Sequence, residues 1–314
     1  MSCPPTIVLS FDVEEHHRIE AATGLTIDNS TKANYARRVA PTTHWLLEQL
    51  AAKGLRATFF FVGELARSEP SLVKEMHRAG HEVAGHGWDH RRILEMTPDE
   101  FREDLRRTVG TLSDLIGAPV VGYRAPTFSL VRRTAWAVDV LAEAGLRYDS
   151  SIYPVSHDRY GVVDAPRSPF RVRGPERSIL ELPPALLQLP GDRRLPAGGG
   201  GYFRLFPLAV VRAAIRQSLG QGQAPVAILY FHPWEFDPDQ PRLPLRPLSR
   251  ARTYVGTGKT RERLGRLLQS EFQATYRTAA EVAGMLEEFG GLAEFALVDP
   301  AAPKGPGREW SSPR

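Results

Sequence analysis

The sequence predicts an α/β fold built on a parallel sheet, and three observations carry that prediction. Short apolar runs alternate with longer amphipathic segments through most of the chain. Several of the runs are apolar almost without interruption, as expected of strands covered on both faces. Proline just inside the start and glycine just past the end mark the intervening segments as helices. Repeated βα units of this kind build either an open doubly wound sheet or a barrel.

Strands are expected at Thr6–Phe11, Ala57–Val62, Glu82–Gly85, Val120–Arg124, Ile179–Leu182 and Val226–Phe231. Among the helices, Pro41 opens a segment closed by Gly54, Pro70 one closed by Gly80, and Pro98 one closed by Gly117. Val131–Ala144 ends at Gly145, Pro207–Leu219 at Gly220, and Thr278–Phe289 at Gly290. Two stretches interrupt the alternation. Residues 153–203, rich in Pro, Arg and Gly, read as long loops around one strand, and residues 237–258 as an irregular insert. Residues 299–314 form a Pro/Gly-rich tail expected to fray. No repeat or linker divides the remainder, so residues 1–298 are read as one domain.

The composition, 42% hydrophobic and 24% charged, is that of a globular protein. The single cysteine, Cys3, excludes an intrachain disulfide and any zinc site built on several thiolates. A metal would therefore need imidazole and carboxylate ligands. The formal charge of +4 comes from arginine scattered along the chain, with no recognisable nucleic-acid-binding motif. A solvated surface explains most of it, and an anionic phospholipid surface or pyrophosphate-linked substrate is the alternative. The first strand follows the N-terminus without an apolar leader, and no run approaches the roughly 20 apolar residues of a membrane span. The expected location is the cytoplasm. The run Gly256-Thr257-Gly258-Lys259-Thr260 lacks the leading glycine of a phosphate loop, because Thr253 occupies that position.

Chemistry-bearing residues fall at the C-terminal ends of the predicted parallel strands, where α/β folds build their sites. Asp12 and Glu14 follow the first strand, and in extended backbone they share one face while Val13 and Glu15 take the other. His86 and His90, in His86-Gly87-Trp88-Asp89-His90, are four residues apart; on a helical turn they would share a face and could hold one ion. Two histidines and a carboxylate make the three-ligand, open-position set of catalytic zinc. Arg124 is the cation expected to orient Asp12 and keep it ionised. His232, where an apolar strand meets Pro233, is a candidate general acid opposite Asp12. His16 and His17 are expected at the rim of the site.

Taken in order, Ser10-Phe11-Asp12-Val13-Glu14, His86-Gly87-Trp88-Asp89-His90, Arg124-Ala125-Pro126 and Phe231-His232 resemble the motifs of the polysaccharide deacetylases (carbohydrate esterase family 4, NodB-like). Asp149-Ser150-Ser151-Ile152-Tyr153-Pro154, the Gly-Gly-Gly-Tyr-Phe-Arg run at 199–204 and His232-Pro233-Trp234-Glu235 are most similar to the exosortase-locus (PEP-CTERM-associated) subgroup. The resemblance covers about residues 5–290 and implies a distorted parallel (β/α) barrel. It makes Asp12 the base, His232 the acid, Arg124 the residue steering the base, and His86 and His90 metal ligands. Val13 stands where many members carry the third ligand, which moves that role to Glu14. Thr127 stands where the family places a tyrosine whose backbone N–H binds the oxyanion. Trp88, Pro126, Tyr153 and Trp234, within or beside these motifs, are the implied substrate contacts.

The implied activity is hydrolysis of an N-acetyl group on a saccharide, an exopolysaccharide or its lipid-linked precursor. The implied cofactor is a divalent metal, Zn²⁺ first, with Co²⁺ or Mn²⁺ as alternatives. The implied partners are the N-acetylated saccharide and an anionic membrane or lipid-linked sugar, with peripheral location at the inner membrane. A deformylase or ureide-ring amidohydrolase without metal, and a saccharide-binding protein without catalysis, are the competing readings.

Overall fold

The computed structural model describes residues 3–298, so the tail at 299–314 lies outside the described residues. Twelve strands run through them: β1 (Thr6–Val13), β2 (Thr58–Phe61), β3 (Glu82–Gly85), β4 (Gly122–Tyr123), β5 (Tyr148–Asp149), β6 (Phe170–Arg173), β7 (Ser178–Glu181), β8 (Leu186–Gln188), β9 (Arg194–Pro196), β10 (Val226–Phe231), β11 (Thr275–Tyr276) and β12 (Glu294–Ala296). The main sheet has the order β10-β1-β2-β3-β4-β5-β7-β6-β12, with β11 against the start of β1. Only the β6–β7 pairing in it is antiparallel.

The sheet curls until its two sides meet. Ala185 donates its N–H to Ile228 O at 2.9 Å, and Tyr230 donates to Gly198 O at 2.9 Å. Pro184 and Gly199 bridge Ile228 and Tyr230 in parallel sense. The product is the expected distorted (β/α) barrel, closed by loop backbone against β10. The glycine run makes this closure sterically feasible. A Cβ on Gly199, whose φ is 152°, would lie 1.7 Å from Tyr230 O, and one on Gly198 would lie 2.5 Å from Ala185 O.

Residue parity on β1 sorts side chains into layers. Ile7, Leu9, Phe11 and Val13 face outward, into the core shared with Leu46, Leu50, Leu72 and Val73 of the covering helices. Val8 faces inward and packs with Phe60, Ala84, Tyr148, Leu180 and Ile228, each from a different barrel strand. The helix Ala279–Phe289 plugs the end of the barrel where the strands start, adding Val282, Ala283 and Leu286 to that cluster. Above this apolar floor, the inward positions Ser10 and Asp12 are polar, so the chemistry sits on a packed base.

Four expectations change. Pro41 does not open a helix; it lies inside Asn29–Ala51, whose start is capped by the Asp28 carboxylate accepting from Thr31 N–H at 2.9 Å. The missing Pro41 N–H is tolerated because Val39, Thr43, Leu46 and Leu50 of the same helix are buried. The segment at Val131–Ala144 is shorter, a 3₁₀ turn at Arg132–Thr134 followed by the helix Trp136–Glu143. Residues 153–203 hold β6, β7, β8, β9 and the start of the helix Gly200–Leu205, more than loops around one strand. Residues 237–258 contain the helix Pro247–Tyr254.

Candidate active site

At the C-terminal mouth of the barrel a cleft of about 510 Å³ is lined by Asp12, Glu14, His86, His90, Thr127, His232 and Trp234, among others. These come from four strand ends: Asp12 and Glu14 from the end of β1, His86 and His90 from the loop after β3, Thr127 from the loop after β4, and His232 and Trp234 from the segment after β10.

Arg124 is the structural centre of the base side. It is fully buried, and its guanidinium donates to Asp12 Oδ1 (2.7 Å), Ser10 Oγ (2.8 Å), Ser150 O (3.0 Å) and Ser150 Oγ (2.9 Å). Its Cζ also stacks 4.1 Å from the Phe60 ring centroid. With its donors committed in this way, the guanidinium holds the Asp12 carboxylate in one orientation.

Glu14, His86 and His90 converge so that one ligand atom from each lies within 4.8 Å of the others. His86 Nδ1 is 2.7 Å from Arg124 O and donates to it, which leaves the Nε2 lone pair for the cleft. Glu14 Oε2 is buried and accepts no well-formed hydrogen bond, yet it lies 2.5 Å from His90 Nε2. A carboxylate oxygen and an imidazole nitrogen directed at one point, with His86 beside them, are a donor set that suits a cation. Burial alone would raise the Glu14 carboxyl, but the imidazoles of His90, His232 and His86 hold it below its ordinary range. Burial pushes the His86 imidazole down to about 4, favouring the neutral form that a metal needs.

The two histidines do not share a helical turn. Residues 86–90 are an irregular loop in which Gly87 (φ 72°) and His90 (φ 68°) are left-handed. Asp104, from the helix Pro98–Ile116, pins this loop by accepting the Trp88 N–H at 3.0 Å. Thr127 and Phe128 are likewise left-handed (φ 55° and 51°), so two site loops carry backbone strain of the kind concentrated at functional positions.

His232 stands opposite, its Nε2 3.9 Å from Asp12 Oδ2 and 3.8 Å from Glu14 Oε1. One fifth of its side chain remains open to the cleft. Behind it, Glu235 Oε2 lies 3.3 Å from His232 Nδ1 and accepts the His232 backbone N–H at 3.0 Å. Arg204 completes the chain by donating to Glu235 Oε1 at 2.8 Å, both side chains being out of solvent. Burial opposes charge on His232, but the carboxylates of Glu235, Glu14 and Asp12 outweigh it and raise the imidazole to about 9.

Of the expected substrate contacts, Trp234 lines the cleft and donates from Nε1 to Glu14 Oε1 at 3.2 Å. Trp88, Pro126 and Tyr153 are not in its lining. The Trp88 ring points outward against Gly63 and under the Arg107 guanidinium, 4.0 Å from the ring centroid. Pro126 packs against Gly87. Tyr153 is fully buried, with its hydroxyl donating to Ala185 O at 3.1 Å beside the closing seam. Phe128, Tyr160, Tyr202 and Tyr230 supply the aromatic wall instead. His16 is a packed residue rather than a rim one: it is buried, its ring tilted against Trp234 at 4.7 Å, with Nε2 2.8 Å from the Tyr254 hydroxyl. Glu235 and Arg204 close the motifs at 232–235 and 199–204, which assigned neither of them a role. Glu235 was detectable as the third residue after His232 in a capping box with proline at the first position. Arg204 carries no such local signal.

Residues 15–148 match the family model described as polysaccharide deacetylase, and residues 150–283 match a domain of unknown function, DUF3473. Similar curated proteins include chitin deacetylase 1 of Cryptococcus neoformans, 29% identical over 28% of this chain and 18% of that protein. A peptidoglycan-N-acetylglucosamine deacetylase of Bacillus cereus is 26% identical over 38% of this chain and 42% of its own length. The peptidoglycan deacetylase of Helicobacter pylori is 31% identical over 34% and 36%. The chain thus spans less than half the length of these relatives. Among solved structures, one from Mycobacterium smegmatis assigned to the polysaccharide deacetylases aligns over 96% of both chains (TM-score 0.63, 20% identity). The PuuE allantoinase aligns over 89% of this chain and 88% of that one (TM-score 0.58, 16% identity). The fold is therefore the NodB-type (β/α) barrel, and the polysaccharide deacetylase family is supported through residues 15–148.

Proposed function

We propose that this chain, a NodB-type barrel carrying the polysaccharide deacetylase match, is a metal-dependent hydrolase that removes N-acetyl groups from a saccharide. The observation that carries the reading is the convergence of an arginine-held carboxylate, a carboxylate-backed imidazolium and the Glu14–His86–His90 triad on one cleft. We read residues 1–298 as one domain, because the site draws on both halves.

Bound by Glu14, His86 and His90, a divalent cation would supply Lewis acidity towards the amide carbonyl and towards water. The two-imidazole, one-carboxylate donor set suits Zn²⁺, or Co²⁺ or Mn²⁺. Asp12 Oδ2, the oxygen not engaged by Arg124, takes a proton from the attacking water as its oxygen adds to the carbonyl carbon. The oxyanion formed there accepts the Thr127 main-chain N–H. His232, held protonated by Glu235, gives its Nε2 proton to the amide nitrogen as the C–N bond breaks, releasing acetate and a free amine. The aromatic wall offers faces for sugar rings.

The substrate in this reading is an exopolysaccharide or its lipid-linked precursor, met in the cytoplasm. No helix among the described residues is long and apolar enough to cross a membrane. The test is acetate release from an N-acetylhexosamine oligomer, its loss on chelation and its recovery with added Zn²⁺. The His86→Ala/His90→Ala variant should lose both bound metal and turnover; full activity in that variant overturns the mechanism.

A further inference from the structure

Five large apolar side chains are exposed among the described residues: Val163, Leu205, Leu248, Val255 and Val298. Three of them lie on two segments at one side of the cleft mouth. Leu205 lines the cleft, as do Ser249, Arg252 and Thr253 of the helix Pro247–Tyr254, which carries Leu248 in its first turn and ends at Val255. Arg204 ties the two segments together, donating to Thr253 O at 2.7 Å and Val255 O at 3.0 Å. At helical spacing Leu248, Arg252 and Val255 fall on one stripe, while Thr253 and Tyr254 turn inward and are buried. Leu248 and Val255 are 65% and 51% exposed, high for large aliphatic side chains with nothing over them.

The same stretch is charged with one sign. Residues 240–260 contain Arg242, Arg246, Arg250, Arg252 and Lys259 and no carboxylate, and all five cations are exposed. Among the described residues, Arg246, Arg250 and Lys259 have no ion-pair partner, and Arg252 has one only at 3.9 Å, to Asp158. Arg242 lies over the Tyr254 ring.

We propose that this face, Leu205, Leu248 and Val255 ringed by the arginines of 242–252, docks on an anionic phospholipid bilayer with the cleft mouth turned towards the headgroups. Guanidiniums alone would suit any polyanion, but leucine and valine gain nothing from a nucleic acid or an acidic polysaccharide. Aliphatic side chains set among cations match the boundary between headgroups and acyl chains. The inference builds on the lipid-linked substrate proposed above by placing the cleft where such a substrate lies, but its test reads no turnover and so stands or falls separately.

The experiment is flotation of the full chain with vesicles of phosphatidylcholine mixed with phosphatidylglycerol, against vesicles of phosphatidylcholine alone. The protein should float with the mixed vesicles at least about tenfold better than with the neutral ones, and should be released as salt rises from about 0.1 to about 1 M. Leu248→Ser/Val255→Ser and Arg246→Gln/Arg250→Gln should each cut the bound fraction about fivefold or more. Unchanged melting temperatures and circular-dichroism spectra would show those variants to be folded. Equal flotation with both vesicle types, or wild-type binding by either variant, overturns the proposal. So does a dimer that forms without lipid and is dissolved by Leu248→Ser/Val255→Ser, which would assign the patch to a second copy of the chain.

Discussion

Asp12 and His232 face each other across the cleft, Oδ2 to Nε2 at 3.9 Å, and each is backed by a buried group of opposite charge. Arg124 lies behind the carboxylate at 2.7 Å, and Glu235 behind the imidazole at 3.3 Å. A base and an acid of unlike charge would otherwise collapse into a direct ion pair. The rear partners compete with that pairing and fix the orientation of each group at the wall of the cleft.

Asp12→Asn keeps the volume and a hydrogen-bond acceptor for Arg124 but removes the proton acceptor. The expected result is a fall in kcat of about 10² to 10⁴ with little change in KM, read by acetate release. A loss smaller than about tenfold would move the base elsewhere.

His232 titrates near 9, above the ordinary 6.5, because the neighbouring carboxylates outweigh its burial. In the proposed mechanism its protonated form is the acid, so kcat should hold below about 9 and decline above it. The sign for stability is the same: the contribution is complete below about 6.5 and is lost as pH rises through about 9. Glu235→Gln should shift the alkaline limb of the pH–rate profile to lower pH. It should also destabilise the fold by about 3–5 kcal/mol, because Arg204 is left buried without its counter-charge. An unmoved limb would show that Glu235 does not tune the acid.

Asp149 and Glu181 pair across β5 and β7, both fully buried. Burial raises both carboxyls, Asp149 to about 6 from 3.8. The folded state therefore holds protons that the unfolded chain sheds, and this contribution to stability fades as pH rises from about 4 through 6 and beyond. Glu181→Gln offers an uncharged donor to Asp149 and still accepts the Ile152 N–H. Its melting temperature relative to wild type should rise with pH, with a gain of about 1–3 kcal/mol by neutral pH. A difference independent of pH would show that the pair does not share a proton.

Gly199→Ala should open the barrel seam. The added methyl meets the Tyr230 carbonyl at 1.7 Å, and main chain on both sides leaves nothing to swing away. A loss of about 2–4 kcal/mol in thermal unfolding is expected. Gly54→Ala is the control: its φ is also positive, at 62°, but no atom lies within 4 Å, so about 1 kcal/mol should suffice.

What the sequence made legible follows from how locally each feature is encoded. β3 and β10 match their expected bounds because Gly80, Gly85 and the unbroken apolar run at 226–231 mark them. The helix Pro98–Ile116 was equally clear, with Thr97 and Glu100 as a capping box and Gly117 in left-handed conformation at its end. Asp12 and Glu14 were placed on one face by strand parity alone, and both line the cleft.

Where tertiary contacts decide, the sequence was silent. Pro41 has every property of a helix start, and only the buried stripe on both sides of it keeps the helix running through. The approach of His86 to His90 rests on Asp104 holding a strained loop from another element, which no i,i+4 spacing encodes. Trp88 was named from its motif, yet its backbone belongs to the site loop while its ring turns to the outside. Arg204 acts on a residue 31 positions away, and no local spacing shows that the two side chains meet.

The seam at Gly198 and Gly199 bears on ancestry as well as architecture. In the proposed mechanism the base, its arginine and the ligand triad all come from residues 12–124, whereas the proton donor and its two buried partners come from 204–235. A recombination event that parted these regions would leave one piece able to bind an ion but unable to release a product amine, and another with a proton to give and no bond to break. On that mechanism neither region works without the other, and the closure at Gly198 and Gly199 joins them in one barrel.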